Sequence, residues 1–175
     1  MHHKICVDQL KDEIKNIHMG DTVELSGYIY TARDAAHKRM DEMLNSSRPL
    51  PFELDGAVIY YAGPTPGKGK MPVGSCGPTT SGRMDIYTPR LLDLGLTAMI
   101  GKGERSREVV DAIKRNGAIY FCAIGGAGAL YAKCIKECTV IAFDELGCES
   151  IKKMKIVDFP IIAAIDYKGN NLFSK

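Results

Sequence analysis

Short apolar stretches closed by glycine or polar turns alternate along the chain with stretches of helical spacing. Gly20-Asp21 is a turn signal. Behind it Thr22-Val23-Glu24-Leu25 alternates as a half-buried strand does, continued by Tyr28-Ile29-Tyr30. Ahead of that turn the chain reads as a short extended entry and then a polar turn or helix. Over residues 32–44 the period lengthens, with Ala36, Met40, Met43 and Leu44 at helical spacing, until Pro49 and Pro51 end it. Residues 57–62, 96–100 and 118–124 are compact apolar runs that read as strands, and 139–143 and 161–165 supply two more. A helix is expected over about 84–94, interrupted or started near Pro89. Ser106 stands in a capping position before the apolar face Val109, Val110 and Ile113, and Gly117 closes that helix. Gly125-Gly126-Ala127-Gly128 leads into a further helix through Leu130 and Tyr131. Strands interleaved with helices in this order predict an α/β layer architecture.

No repeat or low-complexity linker divides the 175 residues, which suit a single domain over 1–175 with a core of its own. The net charge of +2, with cations scattered among acids as in Glu104-Arg105-Ser106-Arg107-Glu108, argues against a nucleic-acid binder. The strongest apolar runs are far too short to cross a bilayer, so no membrane partner is expected. Met1 to Asp8 contains no apolar signal core, which points to a cytoplasmic protein. The six cysteines form no CxxC and read as reduced thiols. Cys134 and Cys138, four apart, would share a face on a helix and with Cys148 make a possible metal set, but no histidine lies near enough in sequence to complete a zinc site. Inert thiols are the alternative. Cys76 adjoins the most unusual segment of the chain and is a candidate to line a site.

That segment is Gly77-Pro78-Thr79-Thr80-Ser81-Gly82-Arg83-Met84-Asp85. Three hydroxyls and a guanidinium on a glycine- and proline-shaped turn suit a carboxylate or phosphate. The same residues also suit a helix start capped by Thr79, Thr80 or Ser81. Residues 63–69 resemble a phosphate loop but miss its spacing and its final hydroxyl, and Gly125 to Gly128 fit tight strand-to-helix packing better than a dinucleotide fingerprint. Lys102 lies between two glycines at a strand end, where backbone can approach a ligand closely. Arg33 and Asp34 lie at a strand-to-helix junction, and His37 follows Arg33 by four residues. Singly, each is as well explained by a surface ion pair or a cap. Arg33, Arg83 and Lys102 converging would form a dicarboxylate or phosphate pocket.

At these residues the sequence resembles the beta subunit, or C-terminal domain, of the class I fumarase and L-tartrate dehydratase family of iron–sulfur hydro-lyases. The likeness is carried by Ser26-Gly27, residues 30–39, 77–85, 100–103 and 125–127, Val157-Asp158-Phe159-Pro160 and residues 166–170, in order along nearly the whole chain. It implies a swivelling β/β/α domain, with a mixed central sheet or barrel-like core and flanking helices. It further implies half an enzyme, in a heterotetramer of two alpha and two beta chains. The [4Fe–4S] cluster would be held by three cysteines of the alpha subunit, and its open iron would act on the substrate as a Lewis acid. No cysteine here stands where the family puts a cluster ligand, so no metal ligand is assigned to this chain. By the same resemblance Arg33, Arg83 and Lys102 grip the carboxylates of malate or fumarate and Thr79 is the proton-abstracting residue. Neutral threonine is a weak base, so Thr79 either orients the substrate or needs support from neighbouring cations and a relay through Asp34, His37 or Asp85, with Thr80 as a supporting hydroxyl. Tartrate dehydration to oxaloacetate and a non-catalytic dicarboxylate-binding module are the alternatives.

Overall fold

In the computed structural model, which describes residues 1–174, three short apolar runs lie side by side as parallel strands: β3 (Val58–Tyr60), β4 (Ala98–Gly101) and β5 (Ile119–Cys122). Nearly every residue in them is buried, as expected of a parallel sheet covered on both faces. β2 (Thr22–Thr31) continues the parallel set through its last two residues, and β1 (His2–Cys6) runs parallel to its first half. The long β7 (Ile151–Ile165) then pairs antiparallel with both β2 and β5, so that β2, β3, β4, β5 and β7 close into a five-stranded barrel. β6 (Ile135–Ala142) is added antiparallel to the first part of β7. Closure needs bends. The β2–β7 register shifts between Leu25 and Gly27, and Asp158 within β7 takes a left-handed φ of 49°.

Alternate strand positions divide the core in two. Val23, Leu25, Val58, Ile100 and Phe121 join Leu10 of α1 (Val7–Glu13) and Tyr131 of α5 (Gly128–Cys134). The opposite positions, Ile59, Met99 and Tyr120, pack with α2 (Asp34–Asn45), α3 (Thr88–Asp93) and α4 (Arg107–Asn116). α4 starts and stops where its sequence indicates: Ser106 Oγ accepts from Val109 N at 3.4 Å, and Gly117 closes the helix at φ 64°. The mixed barrel with flanking helices is the β/β/α layering that the resemblance implied.

Local details refine the expectations. The helix expected over about 84–94, interrupted or started near Pro89, starts there: α3 has Pro89 in its first turn, and a separate 3-10 turn, Ser81–Met84, precedes it. Between them the Asp85 carboxylate and the Thr88 hydroxyl bond to a buried arginine, and Thr88 Oγ1 also donates to the Met84 carbonyl at 2.9 Å. None of Thr79, Thr80 and Ser81 caps a helix. Thr80 precedes the 3-10 turn without a capping bond, and the Ser81 hydroxyl sits 2.8 Å from that of Tyr120. The strand expected at 161–165 is the last third of β7, whose first part was hidden by its run of lysines at 152, 153 and 155.

Gly101, at the end of β4, brings residues 77–85 against the barrel: a Cβ there would run into Ser81 Oγ and lie 2.9 Å from the Tyr61 ring. Gly101→Ala is expected to destabilise the fold by about 1–3 kcal/mol through overpacking. Urea denaturation measures this, and an unchanged midpoint would show that the turn does not press on the strand.

Candidate active site

Because β2, β3, β4 and β5 are parallel, their C-terminal ends share one edge of the barrel, where open α/β sheets present ligand-binding groups. Arg33 follows β2, Lys102 follows β4, and the turn of residues 77–85 crosses between. Thr79 N donates to the Tyr61 carbonyl just beyond β3 at 2.7 Å, and Ser81 N donates to the Lys102 carbonyl at 2.9 Å. Thr80 and Lys102 form a parallel bridge. The turn thus extends the sheet by a rung and sets Thr79 and Thr80 beside Lys102.

Arg33 occupies the cap position of α2, and its carbonyl accepts from both His37 N at 2.9 Å and His37 Nδ1 at 2.8 Å. A carbonyl only accepts, so Nδ1 carries the proton and Nε2 is bare. His37 is 1% exposed with its ring centroid 5.4 Å from that of Tyr61. Burial drives its pKa down to about 4, the Arg105 charge adding to the effect while the Arg33 carbonyl and Asp34 oppose it. His37 is therefore neutral at ordinary pH.

Asp34 stands between two guanidinium groups. Its Oδ1 accepts from Arg83 Nε at 2.9 Å, and its Oδ2 lies 4.0 Å from Arg33 Nε. Arg33 Nε is also 3.7 Å from Glu149 Oε1. Among the described residues, buried Arg33 Nε, Asp34 Oδ2, His37 Nε2 and Glu149 Oε1 have no hydrogen-bond partner. Arg83 donates through Nε alone. Lys102 is exposed, its stem running along Gly125. Gly63 lies under Arg33: a Cβ there would come within 3.2 Å of the guanidinium and 3.1 Å of the Cys148 carbonyl.

The structure therefore gathers Arg33, Asp34, His37 and Arg83 in one cluster and Thr79, Thr80 and Lys102 in one ladder on the same edge. Asp85 lies beneath, with both oxygens engaged by Arg105 Nε at 2.7 Å and Ser106 N at 2.6 Å. Arg105 was not foreseen. Its side chain is fully buried between the rings of Tyr61 and Tyr120, 5.2 and 4.8 Å from their centroids, and it also donates to Thr88 Oγ1 at 2.9 Å. It comes from a mixed-charge run that looks like solvated surface. Glu149 was missed as well, for it is brought in by the pairing of distant strands.

All six cysteines are free. Cys76 is buried, and that burial pushes its thiol up to about 12, far from a thiolate nucleophile. Cys134 ends α5 while Cys138 lies in β6, so the two do not share a helix face as their spacing suggested. Among the described residues no three His, Cys, Asp or Glu side chains come together to hold a metal ion, and no helix is long and apolar enough to cross a membrane.

A family model described as fumarase C-terminus matches residues 2–175. "Fumarate hydratase 2" of Leishmania major is 40% identical over 171 residues, covering 97% of this chain and 30% of that protein. "Fumarate hydratase class I, anaerobic" of Escherichia coli (strain K12) is 40% identical over 155 residues, 87% of this chain and 28% of that protein. "Putative L(+)-tartrate dehydratase subunit beta" of Methanocaldococcus jannaschii is 38% identical over 171 residues, covering 94% of this chain and 88% of that protein. The chain thus spans under a third of the two hydratases and most of the third relative.

His37 makes stability depend on pH. Its folded pKa of about 4 lies below the unfolded value of 6.5, so the unfolded state binds the extra proton first and stability falls as pH drops through that window. The expected loss is about 3 kcal/mol between pH 7 and pH 4. Denaturation of wild type and His37→Asn at the two pH values checks it, the variant losing markedly less; equal losses would show that His37 is not buried neutral.

Proposed function

We propose that this chain, which belongs to the fumarase C-terminus family, is the beta subunit of a cytoplasmic heteromeric hydro-lyase that interconverts L-malate and fumarate. The observation that carries the reading is the shared Asp34 carboxylate. It ties Arg33, from the end of β2, to Arg83, from the crossing turn, while the same turn is laddered to Lys102 at the end of β4. Three cations from three separate segments lie along one sheet edge, an arrangement that suits a four-carbon dianion.

In this scheme Arg33 and Arg83 pair with substrate carboxylate through their terminal nitrogens, their Nε atoms being turned toward Asp34. Lys102 adds a mobile charge at the rim. Dehydration breaks the C3–H and C2–O bonds, forms the C2=C3 double bond and releases one water; Thr79 Oγ is the group assigned to take the C3 proton, for which it must first give up its own. To act as a base Thr79 would need its alkoxide stabilised by neighbouring cations. Of the proposed relay groups, Asp34 keeps an unpartnered oxygen, Oδ2, whereas both oxygens of Asp85 are occupied. His37 stays neutral and orders Arg33 rather than exchanging protons.

This chain's residues do not fit a [4Fe–4S] cluster, since its cysteines are scattered and no three ligating side chains gather among the described residues. We therefore assign the cluster to an alpha subunit and route no step of this chain through it. Exposed apolar side chains flank the site segments, Ile86 (79% exposed) just after Arg83 and Ile124 (59%) just before Gly125. They suit coverage by a second chain, in a heterotetramer of two alpha and two beta subunits. The tartrate dehydratase reading has its own support in the archaeal relative matched over 88% of its length. The two diacids differ by one hydroxyl, which a site must pair or leave unpaired.

Anaerobic assay of the reconstituted pair on L-malate and L-tartrate decides between them. Turnover by the beta chain alone would sink the half-enzyme reading, and tight dicarboxylate binding without a partner or turnover would favour a binding module. In the active pair, Arg83→Ala and Lys102→Ala are each expected to lower kcat/KM about a hundredfold, the equivalent of about 3 kcal/mol of charge-assisted contact. Wild-type rates in both would dismiss the pocket.

A further inference from the structure

Arg33 is approached by a second carboxylate that no sequence motif announces. Glu149 closes the 3-10 segment Asp144–Glu149, and its Oε1 lies 3.7 Å from Arg33 Nε. That segment has no buried residue to anchor it and contains the non-helical Gly147 at φ 60°, ψ −120°. Behind it lies a cavity of about 230 Å³, walled by Pro64, Pro66, Val73 and Cys138 rather than filled by core side chains. Arg39 Nη1 donates to Glu145 Oε1 at 2.8 Å at the segment's start, and the Lys152 ammonium ties down its last turn, next to Glu149. Lys152 Nζ donates to the carbonyls of Gly147 at 3.0 Å and Cys148 at 3.2 Å, and to Ser150 Oγ at 2.7 Å.

The same lysine is referenced to Arg33 from the other side. Lys152 N donates to Thr31 Oγ1 at 3.2 Å, and Thr31 and Lys152 are register partners in the β2–β7 pairing, two residues before Arg33. The Cys148 carbonyl and the Arg33 side chain then close together over Gly63. We propose that Glu149 is a positioning residue for Arg33, and that Lys152, by pinning residues 147–150, sets Glu149 in place. At 3.7 Å this is an ion pair without a hydrogen bond, and Asp34 Oδ2 lies 4.0 Å from the same Nε; two carboxylates on that side bias the guanidinium and leave its terminal nitrogens for a ligand carboxylate. This rests on the reading above, in which Arg33 binds substrate. It extends that reading by naming the groups that aim Arg33.

The test uses the chain with its cluster-bearing subunit and L-malate as the probe. Glu149→Ala and Lys152→Met are each expected to raise KM about tenfold and leave kcat within about twofold, as loss of ground-state binding does. Because both act through one contact, the double variant should be no worse than either single one. Glu149→Gln, which keeps a neutral acceptor, should recover part of the loss. Arg33→Ala separates the two levels. If it leaves KM unchanged, the dicarboxylate reading of the site fails; if it raises KM while Glu149→Ala does not, only the positioning proposal is overturned. Additive losses in the double variant, or kcat and KM changes that simply follow lowered melting temperature, also overturn it. Should Lys152→Met not fold, NMR of the free chain gives an independent measure. The Arg33 Nε–H cross-peak should be a single sharp resonance in wild type and shift or broaden in Glu149→Ala as the side chain loses its orientation, and an unchanged cross-peak would end the proposal.

Discussion

The buried ion pair between Arg105 and Asp85 is the constraint on which the candidate edge depends. The segment that carries Thr79 and Arg83 has little regular structure of its own, only a single 3-10 turn before α3. Arg105 fixes it from below by bonding Asp85 and Thr88 while lying between Tyr61 and Tyr120 of the barrel side. Such a pair adds little net stability against a well-packed apolar substitute, but removing one partner strands a buried charge at about 3–5 kcal/mol. Its contribution is one of conformation: it sets the distance between the turn and the end of β4, and so between Thr79, Arg83 and Lys102.

Above that neutral pair lies a second layer of charge that is only partly balanced. Arg33 faces Asp34 and Glu149 and Arg83 faces Asp34, Lys102 lies at the same edge beside the turn, and neutral His37 adds no charge. Asp34 and Glu149 partly neutralise the two guanidinium groups and bias their orientation. The two layers therefore have separate tasks, the lower holding backbone and the upper holding side chains.

How much of this could be read from residues alone follows from burial. β3, β4 and β5 were legible because strands covered on both faces become continuous apolar runs, and α4 because its cap and closing glycine act locally. The first part of β7 was not, since one side of it meets water and carries Lys153 and Lys155. The expected helix starts at Thr88, beside Pro89, and not at Met84, because Asp85 and Thr88 serve a tertiary partner, which no local pattern records. Arg33, Arg83 and Lys102 stood out as cations at glycine- or hydroxyl-rich strand ends, and the family resemblance supplied their roles. Arg105 sat unnoticed in a run of mixed charge that resembles solvated surface. Glu149 and Lys152 become neighbours of Arg33 only once β7 has returned to β2.

That return has a kinetic consequence. Lys152 and Thr31 meet across 121 residues of sequence, and β7 is also the strand that closes the barrel. Contacts of such range must await closure of a long loop, so a fold that depends on them forms slowly and late. Until β7 docks, β2 and β5 present open edges that can pair with other chains. Arg33 can be made, and its helix begun, well before it has anything to aim it. Assembly of the candidate edge is thus among the last events of folding, and the interval before it is when the chain is most exposed to aggregation.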